Sequence, residues 1–483
     1  MRTRVMKTDG EGSDRTVRRS KNAWLLPASV LLSLTGAICV RAQTGQPPFS
    51  LNLGSVPSGP PTTDVRHLTL RDAITMALRY NLGVIEEGAN NRAARAQRLR
   101  ALSNLLPQVS AGISENAAQA NRASLGITTP LVPFVIGPFS YSTVQASISQ
   151  TVLSVESIER FKAARTAEEA ASLSYDDTLD VVTLTVGSAY LQVIAASSRI
   201  DAIEAQVRNA QALYDQAVNA LEAGTSPKID VTRTSVQLHT EQYNLSLARN
   251  NLAIAKLNLA RAIGLPLGQV FEVANRVPYA DLDPQSVDEA LRTAYSSRSD
   301  LRAALRSAES ARQQLAAARA QRYPALTVSG DYGLQGPTFS RTDTVFGILV
   351  AVNVPVFTSG RIESELTQTE ASLEQRAAES ENLRGQIDYD VRTALLNLEA
   401  AKEQVGVAAE NVELANENLT RSRERFAAGV TDSVEVVQAQ QSVSSANDQY
   451  ITGVYNHNLA KLQLARALGV ARTSYSRYVA AQP

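Results

Sequence analysis

The side chains that most often perform catalysis or bind metals are few and widely scattered in this chain. Its three histidines, His67, His239 and His457, and its single cysteine, Cys39, show no spacing typical of metal ligands. The chain also contains no Walker A lysine motif, GxSxG elbow or GxGxxG strand turn. We therefore interpret the histidines as ordinary surface or interface residues, and we expect no enzyme activity and no cofactor.

Polar residues follow two glycines, each of which stands at the end of a long helix-favouring run. Gly224 precedes the pair Ser226-Pro227, and Gly429 precedes Asp432 and Glu435. Glycine supplies the left-handed conformation that ends a helix, and Ser-Pro provides an N-cap and a first helical residue. Asp432 with Glu435 is typical of a capping box. These residues predict two tight turns between long helices.

The overall composition excludes one class of function and favours an unusual shape of fold. Lys and Arg number 47, as do Asp and Glu, so the formal net charge is zero, and nothing provides the basic surface that nucleic-acid binding needs. Hydrophobic residues make up 44% of the chain but aromatic residues only 5%, a poor supply for several compact cores. We therefore expect long helices and no nucleic-acid partner.

The N-terminus is typical of an exported protein. A basic segment, residues 15–21, precedes an apolar run, residues 23–40, and a small-residue site that ends at Ala42. This order predicts a secretory signal peptide over residues 1–42. An N-terminal membrane anchor is the alternative, but Pro27 and Gly36 interrupt the run. No later stretch supplies about 18 unbroken apolar residues, so a mature chain that spans a membrane must do so with strands.

The rest of the chain is an internal duplication. An offset of 217 residues places Pro107 on Pro324, and an offset of 205 places Gly224 on Gly429. Each copy reads as a helix, a β-hairpin and two long helices. The predicted organisation is a linker over 43–66, a first repeat over 67–264 with a hairpin at about 108–152, a connector over 265–286, a second repeat over 287–469 with a hairpin at about 325–356, and a tail over 470–483.

The predicted strands alternate between apolar and small polar residues. Such alternation is typical of a membrane β-barrel with a wet lumen, and a half-buried sheet of a soluble domain is the alternative. Pro107, Pro324 and Pro355 mark the junctions between helix and strand. The residues expected to face lipid are Val144, Ile148, Leu326, Val328, Phe346, Ile348, Val350 and Val352.

The long helices carry two apolar seams, which imply a neighbour on each side, as in the wall of a helical tube. A plain antiparallel coiled coil is the alternative, and it needs only one seam. Four strands per chain cannot close a membrane barrel, since closed barrels need about eight or more, so several copies must share one. One seam consists of Leu245, Ala248, Leu252, Ala255, Leu259 and Ala262, and the other of Leu247, Ile254 and Leu257.

Together, the ordered and duplicated motifs resemble the TolC family of outer-membrane efflux ducts over residues 68–470. The resemblance implies a homotrimer in which each chain lends four strands to a twelve-stranded barrel and its helices to a long periplasmic α-barrel. Residues 265–286 and the tail would form a belt around the middle. The motifs are LTLRDAITMALRYN (68–81), LLPQVSAG (105–112), YPALTVSGDYG (323–333), VNVPVFTSGR (352–361) and AGxxxxxxV at 223–231 and 428–436.

The resemblance also implies a periplasmic tip at the two turns, where an adaptor protein docks and the duct closes. Thr431 and Gln438 stand where the best-known member has a basic and an acidic residue, so an acidic ring would have to come from Glu435 or Asp230. Three copies of Glu435 near the axis would repel one another. The implied tip and gate positions are Gly224, Ile229, Asp230, Phe426, Gly429, Thr431, Glu435 and Gln438.

The predicted function is a passive outer-membrane duct that exports drugs, metals or other small solutes from the periplasm to the exterior. Its implied partners are an adaptor (membrane fusion) protein, an inner-membrane pump of the RND or ABC type, and outer-membrane lipid. One alternative is a duct for type I protein secretion, and another is a periplasmic coiled-coil adaptor or scaffold. We further expect the apolar loop over 131–139, which contains two prolines, not to extend the β-ladder but to fold over the barrel mouth or against the membrane interface.

Overall fold

The computed structural model describes residues 54–126, 129, 133–273, 279–282 and 285–479. The expected signal peptide with Cys39 therefore lies outside the described residues. So do the first part of the linker, residues 131–132 of the apolar loop, residues 274–278 and 283–284 of the connector, and the last four residues of the tail.

The first repeat runs from a short strand and two helices into a β-hairpin and then into two long helices. The first of the two glycine turns joins these long helices. The elements are β1 (Arg66–Leu68), α1 (Leu70–Tyr80), α2 (Leu82–Ser103), β2 (Gln108–Asn121), β3 (Val135–Leu153), α3 (Val155–Glu222) and α4 (Lys228–Ile263).

The connector and the second repeat follow in the same order. β4 pairs in parallel with β1, which ties the connector to the start of the first repeat. The elements are β4 (Phe271–Val273), α5 (Val287–Ser297), α6 (Ser299–Ala320), β5 (Ala325–Thr338), β6 (Arg341–Asn353), α7 (Arg361–Ala427), α8 (Ser433–Ala467) and α9 (Ala471–Val479).

Two helices precede the hairpin in each repeat. The sequence instead predicts one continuous helical run that ends at the proline before the hairpin, which is Pro107 in the first repeat. α1 and α2 are separated by Asn81, whose backbone is extended and whose side-chain oxygen accepts a hydrogen bond from the Gly83 N–H at 2.9 Å. Asparagine competes with helical hydrogen bonds in this way. The offset of 217 residues places Arg298 on Asn81, and Arg298 occupies the equivalent extended position between α5 and α6.

The main core surrounds the middle of α3. The ring of Tyr190 is fully buried, and its hydroxyl donates to the Leu68 carbonyl at 3.0 Å. One stretch of α3 is apolar enough on average, and long enough, to span a membrane by composition, although polar residues interrupt it. More than half of that stretch is buried against other helices, which identifies it as a core segment.

The order of the helices leaves three of them, α2, α4 and α7, at the outside of the chain. α3 packs against α2, α4, α6 and α8, while α7 packs against α6 and α8. α4 and α7 therefore each have one flank without a neighbour among the described residues. The heptad seam of α4 that includes Ala248, Ala255 and Leu259 is buried, whereas the second seam, with Leu247, Ile254 and Leu257, is exposed.

The two hairpins form one antiparallel sheet in the order β2-β3-β5-β6. Pairing is regular through most of the sheet, with the partners Ile148↔Gly330 and Gly330↔Ile348 near its centre. β2 and β6 lie at the two edges, and each lacks a partner on its outer side in the part of the chain that the structure describes. The sheet is therefore open.

Candidate functional site

The two glycine turns have the same geometry in both repeats. Gly224 and Gly429 have φ values of +73° and +71°, in the left-handed region that favours glycine. The N–H groups of Gly224 and Thr225 donate to the carbonyls of Leu221 and Ala220, which is a Schellman motif, and the second turn repeats it. A Cβ at either glycine would meet no atom within 4 Å, so the backbone angle alone requires glycine.

The starts of the helices that follow differ from the predicted caps. Pro227 occupies the N-cap position of α4 without a side-chain bond, so Ser226 is not the N-cap and Pro227 is not the first helical residue. Asp432 does cap α8, because its Oδ1 accepts from the Val434 N–H at 3.1 Å. Glu435 does not complete a capping box, since its carboxylate is bonded to side chains instead.

Asp230 connects the two turns to each other. Its carboxylate is buried and accepts hydrogen bonds from Ser226 Oγ at 2.8 Å and from Ser433 Oγ at 2.6 Å. Ser433 belongs to the second repeat, so this contact fixes the tip of one repeat against the tip of the other. The sequence analysis did not identify Ser433, because no pattern relates residues that are 203 positions apart.

Glu435 is the repeat partner of Asp230, since the two are 205 positions apart. Its carboxylate accepts from Thr431 Oγ1 at 2.6 Å and Ser422 Oγ at 3.2 Å, and Arg425 lies 3.6 Å away. The Thr431 hydrogen bond, and then the Arg425 charge, hold the pKa of Glu435 below its usual range. The pair Ser226–Asp230 in the first repeat is thus equivalent to the pair Thr431–Glu435 in the second. The internal duplication of the sequence is the signal from which this equivalence could have been found. Repulsion among three copies of Glu435 stays a prediction.

The other implied gate positions divide into packed and exposed side chains. Phe426 packs partly buried against a small core that contains Leu213 and Val436. Ile229 and Gln438 are exposed on the surface of the single chain.

The sheet has one apolar and one polar face. Paired residues on adjacent strands share a face, so the register places all the residues that were predicted to face lipid on one side of the sheet. The opposite side carries Ser110, Ser147, Ser329 and Asp331 at its centre. Pro107 and Pro324 immediately precede β2 and β5, and Pro355 follows β6. The eight residues on the apolar face are Val144, Ile148, Leu326, Val328, Phe346, Ile348, Val350 and Val352.

A buried ionic network joins four helices near the middle of the chain. The Arg298 guanidinium is 5% exposed, and it binds both carboxylate oxygens of Asp300 and one oxygen of Asp390 at 2.6–3.0 Å. Arg466 donates to Asp177 at 2.6 Å and lies 3.9 Å from Asp300. Burial raises the pKa of Asp177 to about 6, although Arg466 opposes this. The network was not predicted from the sequence. Its one signal in the sequence is that the second repeat has Arg298 where the first repeat has Asn81, at the break between two helices.

His457 corrects the expectation that all three histidines lie at a surface or interface. It is fully buried in α8 beneath the connector, with the Tyr279 ring 4.7 Å away, and its ring nitrogens have no hydrogen-bond partner among the described residues. Lys461 donates to the Ala280 carbonyl at 3.0 Å, and Lys402 binds Asp281. Burial, and then the Lys461 charge, lower the pKa of His457 to about 4.

We expect His457 to make the protein less stable in mild acid. As the pH falls from 6.5 towards 4, the unfolded chain takes up a proton on this histidine that the folded chain does not, so the free energy of unfolding decreases. His457→Phe should reduce this loss between about pH 7.5 and about pH 4.5, as measured by denaturant unfolding. The exposed His239→Phe is the matched control. Equal pH slopes for the two variants would contradict the assignment.

Metal binding has no support from this geometry. Among the residues described, the side chains of His, Cys, Asp and Glu form no group of three or more that could hold a metal ion.

Comparison with known proteins places this geometry among outer-membrane channels. The family model "Outer membrane efflux protein" matches residues 73–265 and 290–470. Outer membrane protein TolC of Escherichia coli is 22% identical over 405 residues, which cover 80% of this chain and 79% of TolC. Toluene efflux pump outer membrane protein TtgF of Pseudomonas putida is 23% identical over 425 residues and 84% of each chain. The crystal structure of outer membrane protein VceC from Vibrio cholerae is similar with a TM-score of 0.71 and 19% identity, over 83% of this chain and 96% of that chain.

Proposed function

Because this chain belongs to the outer membrane efflux protein family, we propose that three copies of it form a passive duct that carries small solutes from the periplasm to the exterior. The family consists of outer-membrane channel proteins and not of enzymes, so the chain is an outer-membrane efflux protein that extends into the periplasm. The number of copies, the partners and the class of solute are parts of the proposal.

The open sheet is the observation that carries the proposal. A sheet with an apolar and a polar face, and with unpaired edges at β2 and β6, cannot be stable in a bilayer as a single copy, because each unpaired backbone group costs several kcal/mol in lipid. Pairing β2 of one copy with β6 of the next would satisfy both edges. Three copies would give about twelve strands, which lies within the range of known membrane barrels.

The exposed flanks of α4 and α7 support the same assembly. Each flank carries an apolar stripe with steps close to the heptad repeat, and such a stripe is normally covered by a neighbouring helix. We infer that the α4 stripe of one copy packs on the α7 stripe of the next. The α4 stripe consists of Val236, Tyr243, Leu247, Ile254 and Leu257, and the α7 stripe of Tyr389, Leu396, Val407 and Leu414.

A groove between α3, α4 and α8, lined by both polar and apolar side chains, supports an adaptor as the periplasmic partner. It has a volume of about 260 Å³ and is lined by side chains that include Arg199, Gln206, Asn251 and Asp448. Hydrogen-bonding side chains in a groove between helices suit the docking of another helix. An adaptor of this kind would connect the duct to an inner-membrane pump, which would supply the energy for transport.

The assembly is tested by the size and conductance of the purified protein. The protein extracted from outer membranes in detergent should have the mass of three chains, and it should form channels in planar bilayers. Loss of the gene should lower the export of small solutes by the cell. A monodisperse, water-soluble monomer would contradict the proposal.

The tip is tested by removing the link between the repeats. Asp230→Ala should raise the conductance of the closed duct, because Ser226 and Ser433 lose their shared acceptor and the two turns can separate. Asp215→Ala is the matched control, since Asp215 is exposed and bonded to Gln211 on its own helix. If both variants conduct like the native protein in planar bilayers, the Asp230 link does not hold the tip closed.

A further inference from the structure

The first hairpin continues beyond the second one as a two-stranded ribbon. The last pair between the hairpins is Ser142↔Gly336, and β3 extends from there through residues 135–141, which pair only with β2 among the described residues. At ~3.3 Å per residue this ribbon projects by roughly 20 Å. The expectation that two prolines would end the ladder is wrong, because pairing continues to Asn121↔Val135 and Pro138 lies within β3.

The polarity of the two faces is inverted in this ribbon. In the four-stranded part, the face with Val144 and Ile148 is apolar and the face with Thr143, Gln145 and Ser147 is polar. Glu115, whose partner Ser142 forms the last pair with β5, and Ser140 in the ribbon continue the apolar face, whereas Tyr141 and Phe139 continue the polar one, because residues two apart on a strand share a face. The centroids of the Phe139 and Tyr141 rings lie 6.4 Å apart.

An irregularity in β3 adds a third apolar residue to the same face. Between the pairs Ala118↔Phe139 and Ala120↔Ile136, β2 advances by two residues and β3 by three, which is a β-bulge. Ala118 and Ala120 share a face of the regular strand β2, so their partners Phe139 and Ile136 share it too. Without the extra residue, Ile136 would lie on the opposite face.

We propose that the ribbons of three copies converge above the barrel and contact one another through Phe139, Tyr141 and Ile136. This inference rests on the proposed trimer. If the apolar face of the four-stranded part contacts lipid, the aromatic face of the ribbon lies towards the axis. The charged Glu115 lies on the outer side at the base of the ribbon, and Ser140 follows it, which places the ribbon above the hydrocarbon layer, so lipid is not the partner of the aromatic face. The remaining partner is the aromatic face of the ribbons from the other two copies, which extend from the same barrel. Together, the three aromatic faces form an aromatic collar at the exit.

The collar is expected to narrow the exit. Beside and below Tyr141, the inner face carries polar groups, among them Ser114, Asn116, Thr143 and Gln145, around an open depression of about 300 Å³. A hydrophobic constriction above a polar lumen impedes hydrated ions more than apolar solutes, because water leaves a narrow apolar passage readily. The duct would therefore conduct ions weakly at its outer end and still pass apolar cargo.

Cross-linking tests the convergence directly. In a Cys39→Ser background, the chain has no other cysteine, so Phe139→Cys introduces a single thiol on the aromatic face. A short bismaleimide applied to the purified detergent-solubilised protein should convert most Phe139→Cys chains into covalent dimers. Ser140→Cys, which places the thiol on the opposite face of the same strand, should give almost none. As a second measurement, made in the Asp230→Ala background so that the closed tip does not limit the current, Phe139→Ala with Tyr141→Ala should raise single-channel conductance, and Ser140→Ala should not.

The outcomes separate the collar from the proposed function. If the protein is trimeric by mass and Phe139→Cys does not cross-link, or cross-links no better than Ser140→Cys, the ribbons do not converge and only the collar is overturned. If no trimer forms, the collar and the proposed duct both fail. Unchanged conductance in the double alanine variant would show that the aromatic side chains do not narrow the exit.

Discussion

Ile348→Arg is expected to prevent assembly in the outer membrane, whereas Leu349→Arg should be tolerated. Ile348 lies on the apolar face at the centre of β6, and its side chain is 76% exposed in the single chain. An arginine on the lipid face near the middle of a bilayer costs about 2–4 kcal/mol, and a lumen-facing one costs much less. In the proposed trimer, this cost would apply three times per assembly.

The matched control lies one residue further along the same strand. Leu349 is also strongly exposed, but it pairs with Ser329 on the polar face. Gly347 is a poorer control, since a Cβ there would lie 2.8 Å from the Asp331 carboxylate. The measurement is the amount of trimer in purified outer membranes. Equal amounts for Ile348→Arg and Leu349→Arg would show that the two faces are not lipid and lumen.

Arg298→Met is expected to lower the free energy of unfolding by about 3–5 kcal/mol, because removing one partner of a buried ion pair leaves an uncompensated charge. Here Asp300 would lose its nearest cation and keep only Arg466 at 3.9 Å, and the partly exposed Asp390 would lose its cation as well. The effect should be measured by denaturant unfolding of the purified protein. Adding Asp300→Asn to the Arg298→Met variant should recover part of the loss.

A surface ion pair provides the control for this variant. Arg319 binds Glu370, and both side chains are more than half exposed. Arg319→Met should therefore cost only about 0–1 kcal/mol. If Arg298→Met and Arg319→Met cost the same, the network around Arg298 does not stabilise the junction of α3, α6, α7 and α8.

The features that the sequence determined depend on neighbours in the chain. The alternation of apolar and small polar residues in β6 defines its two faces, because successive side chains of any strand point to opposite sides. Gly224 and Gly429 define the two turns, because a left-handed residue after a helix favours glycine in any tertiary context. The duplication made the second copy of each element predictable from the first.

Tertiary structure alone decided which surfaces meet. Asp230 with Ser433, and Arg298 with Asp390, join residues far apart in sequence, and no local pattern encodes which helix faces will be adjacent. The same reason applies to the burial of His457, because the Tyr279 ring that lies 4.7 Å from it belongs to the connector, far away in sequence. The bulge at Ala118 and Phe139 is a further case, because an extra residue is defined only relative to the partner strand. The sequence determined the elements and the polarity of their faces through local geometry, whereas the contacts between the two turns and among the helices in the middle arose only when those faces packed together.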